Sequence, residues 1–540
     1  MEASTGSGAS GGGGVSSFAR QSSGLVRELT LADAAWFGVL GSGGLFAFVF
    51  LFPGPQFASP GISIPLLLVL TLGFGVVIYF VYAALGSAMP RAGGDYLYET
   101  RSLTPLVGFA VPWACQLLFW LAFPTAGAFV VGTFGLLPIA DEVGLDGVAS
   151  WLVTEWGTFV VAATVVVLCW LMNTIGLRLY RTVQRYILIP LLLIATGTII
   201  VLLLANLGTD FSAKFNDFHA GAITTTSVES AAQASGYESP SFDLGNTLIW
   251  VAVLGAYIPY TMYSAQGLLG EVKQASSMWR LFSAFLFAGA FVALVMLALP
   301  WILLSSIAGS DFLNQYAWAY GSGEIAPEYS PNFSVFLSML SGNALITILV
   351  SLGFAAGGFG IANVVFVNSA RVMMAMGLDG LLPRFFSDVH PRTHTPVKAL
   401  TLWSVLALVV AALFSFKPDW QTTVLLGGAI TSVLVVGVSC LGAAMLPSRA
   451  RGIYESAPVS AYRLVGIPWV VIAGILGTIS VALLIVFALI LDELALTDAG
   501  SRGLIGGALV TGLLFYFGWR AVRRRQGVDT SLALREVPPE

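Results

Sequence analysis

Charged side chains are scarce in this sequence, since Asp, Glu, Lys and Arg make up 10% of its 540 residues. Soluble domains carry about 25%, whereas hydrophobic residues reach 57% here. This composition excludes a water-soluble domain and indicates a polytopic membrane protein embedded in a lipid bilayer. The net charge is −4, and the sequence has no basic patch of the kind that binds nucleic acid. Nucleic acid is therefore not expected as a partner.

Cysteine and histidine are also rare, with three of each. All three cysteines lie inside apolar runs, which argues against a disulfide framework. His390 and His394 are four residues apart in "HPRTHTP", but Pro391 and Pro396 forbid the helix that would align them on a metal. No Ser/His/Asp set, His-Glu metal motif or nucleotide loop appears. We therefore expect no catalysis, no metal and no cofactor.

Long apolar runs are what the sequence has instead. A helix that crosses a bilayer needs about 20 predominantly apolar residues. Twelve such runs are present and are numbered spans one to twelve in chain order: 32–52, 63–88, 104–138, 151–174, 183–206, 246–270, 280–306, 340–374, 397–415, 421–446, 464–491 and 503–522.

The basic residues indicate the orientation of these spans. With the N-terminus placed in the cytoplasm, all but three of the 24 Lys and Arg residues fall on the inner side, the exceptions being Lys214, Lys417 and Arg502. This asymmetry follows the positive-inside rule. It predicts that both termini are cytoplasmic, with the cell membrane as the expected location.

The chain divides into two halves of five spans, with additions at either end. The predicted order is a flexible Gly/Ser-rich cytoplasmic tail (1–30), a first five-helix repeat (31–206), an external loop (207–245), a second five-helix repeat (246–446), two additional transmembrane helices (447–525) and a cytoplasmic tail (526–540). An odd number of spans per half inverts the second half relative to the first. The polar loops at 207–245 and 307–333 are interpreted mainly as solvated connectors, with a role as lids left open.

Span one contains a glycine cluster at its centre. "GSGGLF" begins at Gly41, and each glycine costs a helix about 1 kcal/mol relative to alanine. Span six is interrupted at the corresponding place by Gly255, Pro259 and Gly267. Paired interruptions are typical of secondary transporters, whose substrates bind at such breaks. Close helix packing is the alternative explanation, and it is the preferred one for "GGFG" (357–360), which we expect to lie against span one.

Four motifs resemble the amino acid–polyamine–organocation (APC) superfamily of transporters. They are "GSGGLF" in span one, "MPRAGGDYLYETRSLTPLVGF" (89–109), "LGEVKQ" after span six and "SARVMMAMGLDGLLPRFFSDVHPRTHTPV" (369–397). The resemblance implies an all-α polytopic membrane protein of twelve transmembrane helices. It also implies a five-plus-five inverted repeat of the leucine-transporter type with two C-terminal helices, and solute transport by alternating access.

Substrate is expected at the two breaks. In span one, Gly41 supplies the turn, and freed N–H groups of Ser42, Gly43 and Gly44 would receive a carboxylate at the start of a half-helix. In span six, the break centred on Tyr260 to Ser264 would offer carbonyl and hydroxyl groups. The candidate side chains there are Tyr260, Thr261, Tyr263 and Ser264, of which we expect one tyrosine to line the pocket.

Two further candidates are polar residues inside apolar helices. Gln116 lies on one face of span three with Trp113 and Trp120, and Asn363 lies in span eight. A buried amide needs a partner in hydrocarbon. Each of the two binds substrate or an ion, or else ties neighbouring helices together.

An inner gate is predicted from charges that flank the spans. Related folds close the cytoplasmic side by pairing such charges. Arg27 precedes span one, and its candidate partners are Asp379 after span eight and Glu271 after span six.

Substrate charge and coupling follow from residues that the spans lack. The centres of spans three, six, eight and ten contain no Asp or Glu to match a cationic side chain, and no buried Lys or Arg to match an acidic one. We therefore expect a neutral amino acid or a zwitterion of similar size; polyamines, other small organic amines and a channel remain alternatives. Span five has no lysine for proton coupling, and span eight has no adjacent Ser/Thr pair for sodium. Exchange with a counter-substrate, facilitated transport and sodium symport all stay open.

Overall fold

Helices account for nearly all of the regular structure in this computed structural model, which describes residues 25–254, 260–327, 331–490 and 499–527 together with Thr530 and Leu534. Ten described helices are long and apolar enough to cross a membrane. Their bounds are Ile64–Ala88, Pro105–Glu142, Glu155–Ile175, Leu177–Ala205, Met278–Ala308, Ala344–Leu378, Val397–Phe416, Asp419–Arg449, Trp469–Leu489 and Ala499–Arg525. They correspond to the predicted spans two to five and seven to twelve.

Span one is interrupted, as the sequence indicates. A first half-helix, Leu31–Gly41, ends before a tight turn, and the chain continues as a 3-10 turn, Gly44–Phe46, and a short helix, Ala47–Leu51. The turn depends on Gly43 and Gly44, whose φ angles are +76° and +51°. Side chains larger than hydrogen are strained in that region, so these two glycines make the turn. Gly41 closes the first half-helix and does not make the turn, which corrects the prediction.

Span six is divided between the helices Leu244–Leu254 and Tyr260–Gln266. Gly255, Tyr257 and Pro259 lie outside the described residues. Residues 260 to 264 are helical, so the expectation of an unwound backbone there is wrong. The second half of span six, Tyr260–Gln266, packs against the first half-helix: a methyl group on Gly38 would collide with the carbonyl oxygen of Thr261.

Glycines of span eight bring that helix against the turn of span one. A methyl group on Gly357 would lie 2.6 Å from the carbonyl oxygen of Gly43, and one on Gly360 would lie 2.9 Å from Cβ of Leu40. The expected role of "GGFG" in close packing is therefore confirmed. The missing side chains let two backbones approach where a larger residue would hold them apart.

The helix of span three is irregular at its centre. Pro112 and Pro124 stand inside it, and a wide π-helical turn runs over Gln116–Trp120. A proline removes one backbone hydrogen bond, and a π-turn rotates the following side chains relative to an α-helix. The two faces of this helix are therefore not those of a regular helix.

The two long polar loops contain structure of their own. Helices form over Phe211–Phe218 and Thr225–Ala234 in the first loop and over Ser310–Gly321 in the second. Tyr237 of the first loop donates a hydrogen bond of 2.9 Å to Asp311 of the second. These loops are thus more ordered than solvated connectors.

Other connections are short. Near the inner end, the end of the bundle predicted to be cytoplasmic, the strands Arg463–Leu464 and Ile467–Pro468 form a hairpin. At the same end, Leu29 pairs with Val272 in an isolated parallel bridge that joins the start of span one to the segment after span six.

We expect Gly357→Ala to lower the stability of the purified protein by about 1–3 kcal/mol, because the new methyl group overpacks the contact with Gly43. Intrinsic helix propensity would act in the opposite direction. The matched control is Gly197→Ala in span five, where a methyl group meets nothing within 4 Å. Unfolding temperatures in detergent check this; equal behaviour of the two variants would contradict the packing argument.

Candidate functional site

The turn in span one satisfies its own donors. The N–H groups of Ser42 and Gly43 donate to the carbonyls of Gly38 and Leu40 at 3.0 and 2.9 Å, and the Ser42 hydroxyl donates to Val39 at 2.8 Å. The expectation that the Ser42 and Gly43 N–H groups are free for a carboxylate is therefore wrong. The second segment begins at Gly44, and a binding role for the start of that segment stays a prediction.

The second half of span six presents buried side chains to its neighbours. The hydroxyl groups of Thr261 and Tyr79 are 2.9 Å apart. The ring of Tyr263 stacks on Trp120 with a centroid separation of 5.0 Å, and its hydroxyl lies 3.4 Å from Sγ of Cys115. Spans two, three and six thus meet along this segment.

Tyr260 and Ser264 belong to the same helix. Their backbone is described, but their side chains lie outside the description. Substrate-binding roles for both residues stay predictions.

Gln116 is buried and only half satisfied. Its Oε1 accepts a hydrogen bond of 2.6 Å from the Ser369 hydroxyl of span eight, whereas its Nε2 has no hydrogen-bond partner among the described residues. A buried N–H group without a partner is costly. An unmatched donor between spans three and eight is consistent with the predicted role in binding, and it leaves the helix-tying role intact.

The three residues expected on one face of span three point to different neighbours. The Trp113 indole donates to Thr511 of span twelve at 3.2 Å. Gln116 faces span eight and Trp120 faces span six. The π-turn at Gln116–Trp120 explains this divergence, because spacing rules for a regular α-helix do not hold across it.

Asn363 ties two helices together. Its Oδ1 accepts a hydrogen bond of 2.8 Å from Asn173 of span four, while its Nδ2 is without a partner in the described part of the chain. The geometry favours the helix-tying alternative. A role in binding stays a prediction.

The two acids proposed for the inner gate have arginine partners that the sequence analysis did not identify. Asp379 receives hydrogen bonds from Arg101 at 2.6 and 3.0 Å and from the Tyr96 hydroxyl at 2.7 Å. Glu271 receives bonds from Arg371 at 2.8 and 3.3 Å. A gating role for Arg27 stays a prediction.

A third ion pair lies at the entrance of span one. Asp33 accepts hydrogen bonds from Arg185 at 2.6 and 2.9 Å and thereby joins span one to span five. The sequence signal for these pairs is a single arginine close to the end of a span, as for Arg101, Arg185 and Arg371. Their partners are more than 99 residues away, however, so only the fold matches them.

A short helix between spans two and three, the loop helix Gly94–Ser102, contacts the end of the second half of span six. The N–H of Asp95 donates to Oε1 of Gln266 at 3.0 Å, and Nε2 of Gln266 donates back to Oδ2 of Asp95 at 3.1 Å. Any side chain on Gly94 would occupy the space of the Gln266 amide. This explains the glycine pair of "AGGDY", since Gly93 and Gly94 also have positive φ angles.

The loop helix also reaches span two and span ten. Asp95 accepts hydrogen bonds of 2.6 Å from the Tyr82 hydroxyl and 2.9 Å from the Ser439 hydroxyl. The motif at 89–109 thus includes the junction of four elements: the loop helix and spans two, six and ten. Sequence reasoning missed this site because it searched the spans for acids and left out the loops.

We expect Arg101→Met to destabilise the folded protein by about 3–5 kcal/mol, because it leaves the Asp379 carboxylate buried without its counter-charge. The matched control is Lys398→Met, which removes an exposed ion pair with Asp388 that is worth less than about 1 kcal/mol. Denaturation of both variants in detergent tests this. Similar losses in the two variants would show that burial does not determine the strength of the pair.

The fold and this site can be compared with known proteins. A family model described as amino acid permease matches residues 30–501. The low-affinity putrescine importer PlaP of Escherichia coli is 24% identical over 369 residues, which cover 67% of this chain and 69% of the importer.

Two other relatives carry names of amino acid transporters. The branched-chain amino acid permease BcaP of Bacillus subtilis is 25% identical over 411 residues, or 72% of this chain and 75% of that permease. The Asc-type amino acid transporter 1 of Mus musculus is 33% identical over 115 residues, or 20% of each chain. Since the family model covers most of the sequence, this integral membrane protein belongs to the amino acid permease family, a family of transporters within the APC superfamily.

Proposed function

We propose that the protein is a secondary transporter that moves neutral amino acids across the cell membrane by alternating access. The proposal includes twelve spans, five plus five in inverted repeat followed by two, with both termini in the cytoplasm. It is supported by the turn in span one, by the interruption that the sequence predicts in span six, and by the similarity to amino acid permeases.

The single observation that supports a neutral substrate is the pairing of three buried acids with arginines. Asp33, Asp379 and Glu271 are each bonded to an arginine. Arg101 and Arg371 are the basic partners of the last two acids. A substrate side chain with a full charge could use these groups only by breaking one of the pairs, and each break leaves a buried charge uncompensated.

The walls near the interruption suit an apolar or aromatic side chain. Tyr263 and Trp120 stack against each other, and Phe119 packs edge-on at 6.0 Å from Tyr263. Aromatic surfaces stabilise an apolar side chain by burying its surface, and they offer no counter-charge to a carboxylate. The amino acid backbone would be held at the start of the second segment of span one.

The inner end provides the machinery for alternating access. The loop helix, span eight and the segment after span six are connected there by the pairs Arg101–Asp379 and Arg371–Glu271. We propose that Arg27 joins this closure when the inner side shuts. Opening toward the cytoplasm requires that some of these bonds exchange partners.

A small organic amine is the second candidate substrate. One relative is named a putrescine importer, and two buried acids, Asp95 and Glu99, form no ion pair among the described residues. However, the oxygens of Asp95 are already engaged by uncharged donors from Tyr82, Gln266 and Ser439. The occupied acceptors favour the neutral amino acid.

We expect leucine and phenylalanine to stabilise the purified protein against thermal unfolding more than putrescine or arginine do, because Asp33, Asp379 and Glu271 are paired with arginines and the oxygens of Asp95 are engaged by uncharged donors. A ligand that binds only the folded state raises the apparent unfolding temperature, and at equal concentrations the tighter ligand raises it more. Competition in counterflow with proteoliposomes provides the second measurement. If putrescine or arginine displaced a bound ligand more effectively than leucine, the substrate would be the amine.

We also expect counterflow to continue when sodium is replaced by choline. Two of the polar side chains of span eight that could bind sodium already have partners, since Ser369 donates a hydrogen bond to Gln116 and Oδ1 of Asn363 accepts one from Asn173. Counterflow in liposomes made with and without sodium checks this, with empty liposomes as the control. Transport that required sodium on one side would contradict it.

A further inference from the structure

Two carboxyl groups of the loop helix are buried together without a basic partner. Asp95 and Glu99 are one helical turn apart, with exposed fractions of 2% and 0%. No ion pair involves either residue in the described part of the chain. Two ionised carboxylates so close together in a dry site repel each other strongly, so their protonation needs an explanation.

Ser439 of span ten supplies the decisive geometry. Its hydroxyl oxygen lies 2.9 Å from Oδ1 of Asp95 and 3.1 Å from Oε1 of Glu99. A hydroxyl carries a single proton and can donate to only one acceptor at full strength. Both contacts become favourable when one carboxyl is protonated: Glu99 donates to Ser439, and Ser439 donates to Asp95.

The other bonds identify which acid holds the proton. Asp95 accepts from Tyr82, Gln266 and Ser439, which is an environment that stabilises a carboxylate. Among the residues that the structure describes, Glu99 has no other donor, and its Oε2 is buried without a hydrogen-bond partner. The hydroxyl of Tyr98, on the same helix, is also buried without a partner. Glu99 is therefore the proton carrier in this conformation.

In the described part of the chain, the surroundings contain further titratable groups, and two nearby arginines are already paired with acids. The groups that face the two acids, from spans two, three, six and ten and from the loop helix itself, are Tyr82, Cys115, Tyr263, Cys440 and Tyr98. Arg101 and Arg371, two buried arginines of the inner end, are bonded to Asp379 and Glu271. Burial raises the pKa of Glu99 well above its usual value, and it raises the pKa of Asp95 to about 6.

We propose that Asp95 and Glu99 share one proton and form a proton-binding site whose occupancy is coupled to transport. This inference rests on the proposed transport function and identifies its coupling ion. The site would replace the lysine of span five that proton-coupled relatives are expected to carry and that this chain lacks.

The coupling follows from the position of the site. Asp95 is bonded to Gln266 near the end of span six, which is one of the two spans that the sequence predicts to be interrupted. If this helix moves away from the loop helix during transport, Asp95 loses a donor and its proton affinity rises. By linkage, proton binding then favours the conformation in which the helices have separated.

The first test is independent of transport. Because the pKa of Glu99 is higher in the folded state than the usual value of about 4.3, the folded protein holds this proton more tightly than the unfolded chain does. The contribution of Glu99 to stability therefore falls as the pH rises from about 4.3 toward the folded-state pKa. We expect the unfolding temperature of Glu99→Gln to fall less than that of the wild type when the pH is raised from about 5 to about 8.

The second test measures coupling directly. In proteoliposomes with an inward proton gradient of about one pH unit, one proton per substrate can drive up to about tenfold accumulation. We expect the wild type to accumulate leucine. We expect Glu99→Gln, which mimics the protonated acid, to exchange leucine in counterflow and to lose gradient-driven accumulation. Asp95→Asn provides a second variant at the same site.

The control is Glu455→Gln, which changes an exposed acid that pairs with Arg451 and should behave as the wild type in both tests. Accumulation by Glu99→Gln and Asp95→Asn equal to that of the wild type, or identical pH dependence of their unfolding temperatures, would overturn the proposal. If the wild type moved no amino acid, the proposed function would fail. The pH dependence of stability would still decide whether the pair binds a proton.

Discussion

A polar group that leaves water for the interior of this protein is costly unless it finds a partner there, and much of the structure can be understood from that cost. The turn in span one shows its effect on the backbone. Breaking a helix in hydrocarbon frees N–H and carbonyl groups at a cost of several kcal/mol each. The N–H groups of Ser42 and Gly43 donate back to carbonyls of the helix they follow, so these two donors are satisfied within the chain.

The same requirement organises the inner end. Acids that follow one span are matched with arginines of other elements: Asp379 pairs with Arg101 of the loop helix, and Glu271 pairs with Arg371 of span eight. The loop helix Gly94–Ser102 contributes to two of these clusters, because one part of it reaches Asp379 and another reaches span six and span ten. A movement of any one element therefore changes the partners of several charged groups. Such a cluster is suited to a transporter, in which conformations must differ in bonding and not only in shape.

The proposals on substrate and coupling depend on one distinction. Buried acids that have an arginine partner are already neutralised and argue for a substrate without net charge. Asp95 and Glu99 have only uncharged donors, and the single proton of Ser439 cannot serve both. The first group of acids holds the structure together, whereas the second pair needs a proton from solution.

Composition and pattern were sufficient to predict the membrane class, the ten long helices and the interruption of span one. These features depend on local chemistry: the length of an apolar run and the conformational freedom of glycine. The glycines at 357 and 360 were also correctly assigned to packing against span one. Five-plus-five symmetry and the positions of both termini are predictions from the same patterns, and they depend on a membrane that the helices alone do not define.

The partners of the polar residues were decided only by the tertiary structure. Asp95 meets Gln266 across 171 residues of sequence, and the π-turn of span three sends Trp113, Gln116 and Trp120 to three different neighbours. The helical backbone of Tyr260–Gln266 likewise differs from the unwound segment expected from its composition. A sequence pattern fixes which residues share a face of a regular helix, but hydrogen bonds between distant segments form only after the helices have packed, because packing alone brings a donor within 3 Å of its acceptor (about the length of such a bond).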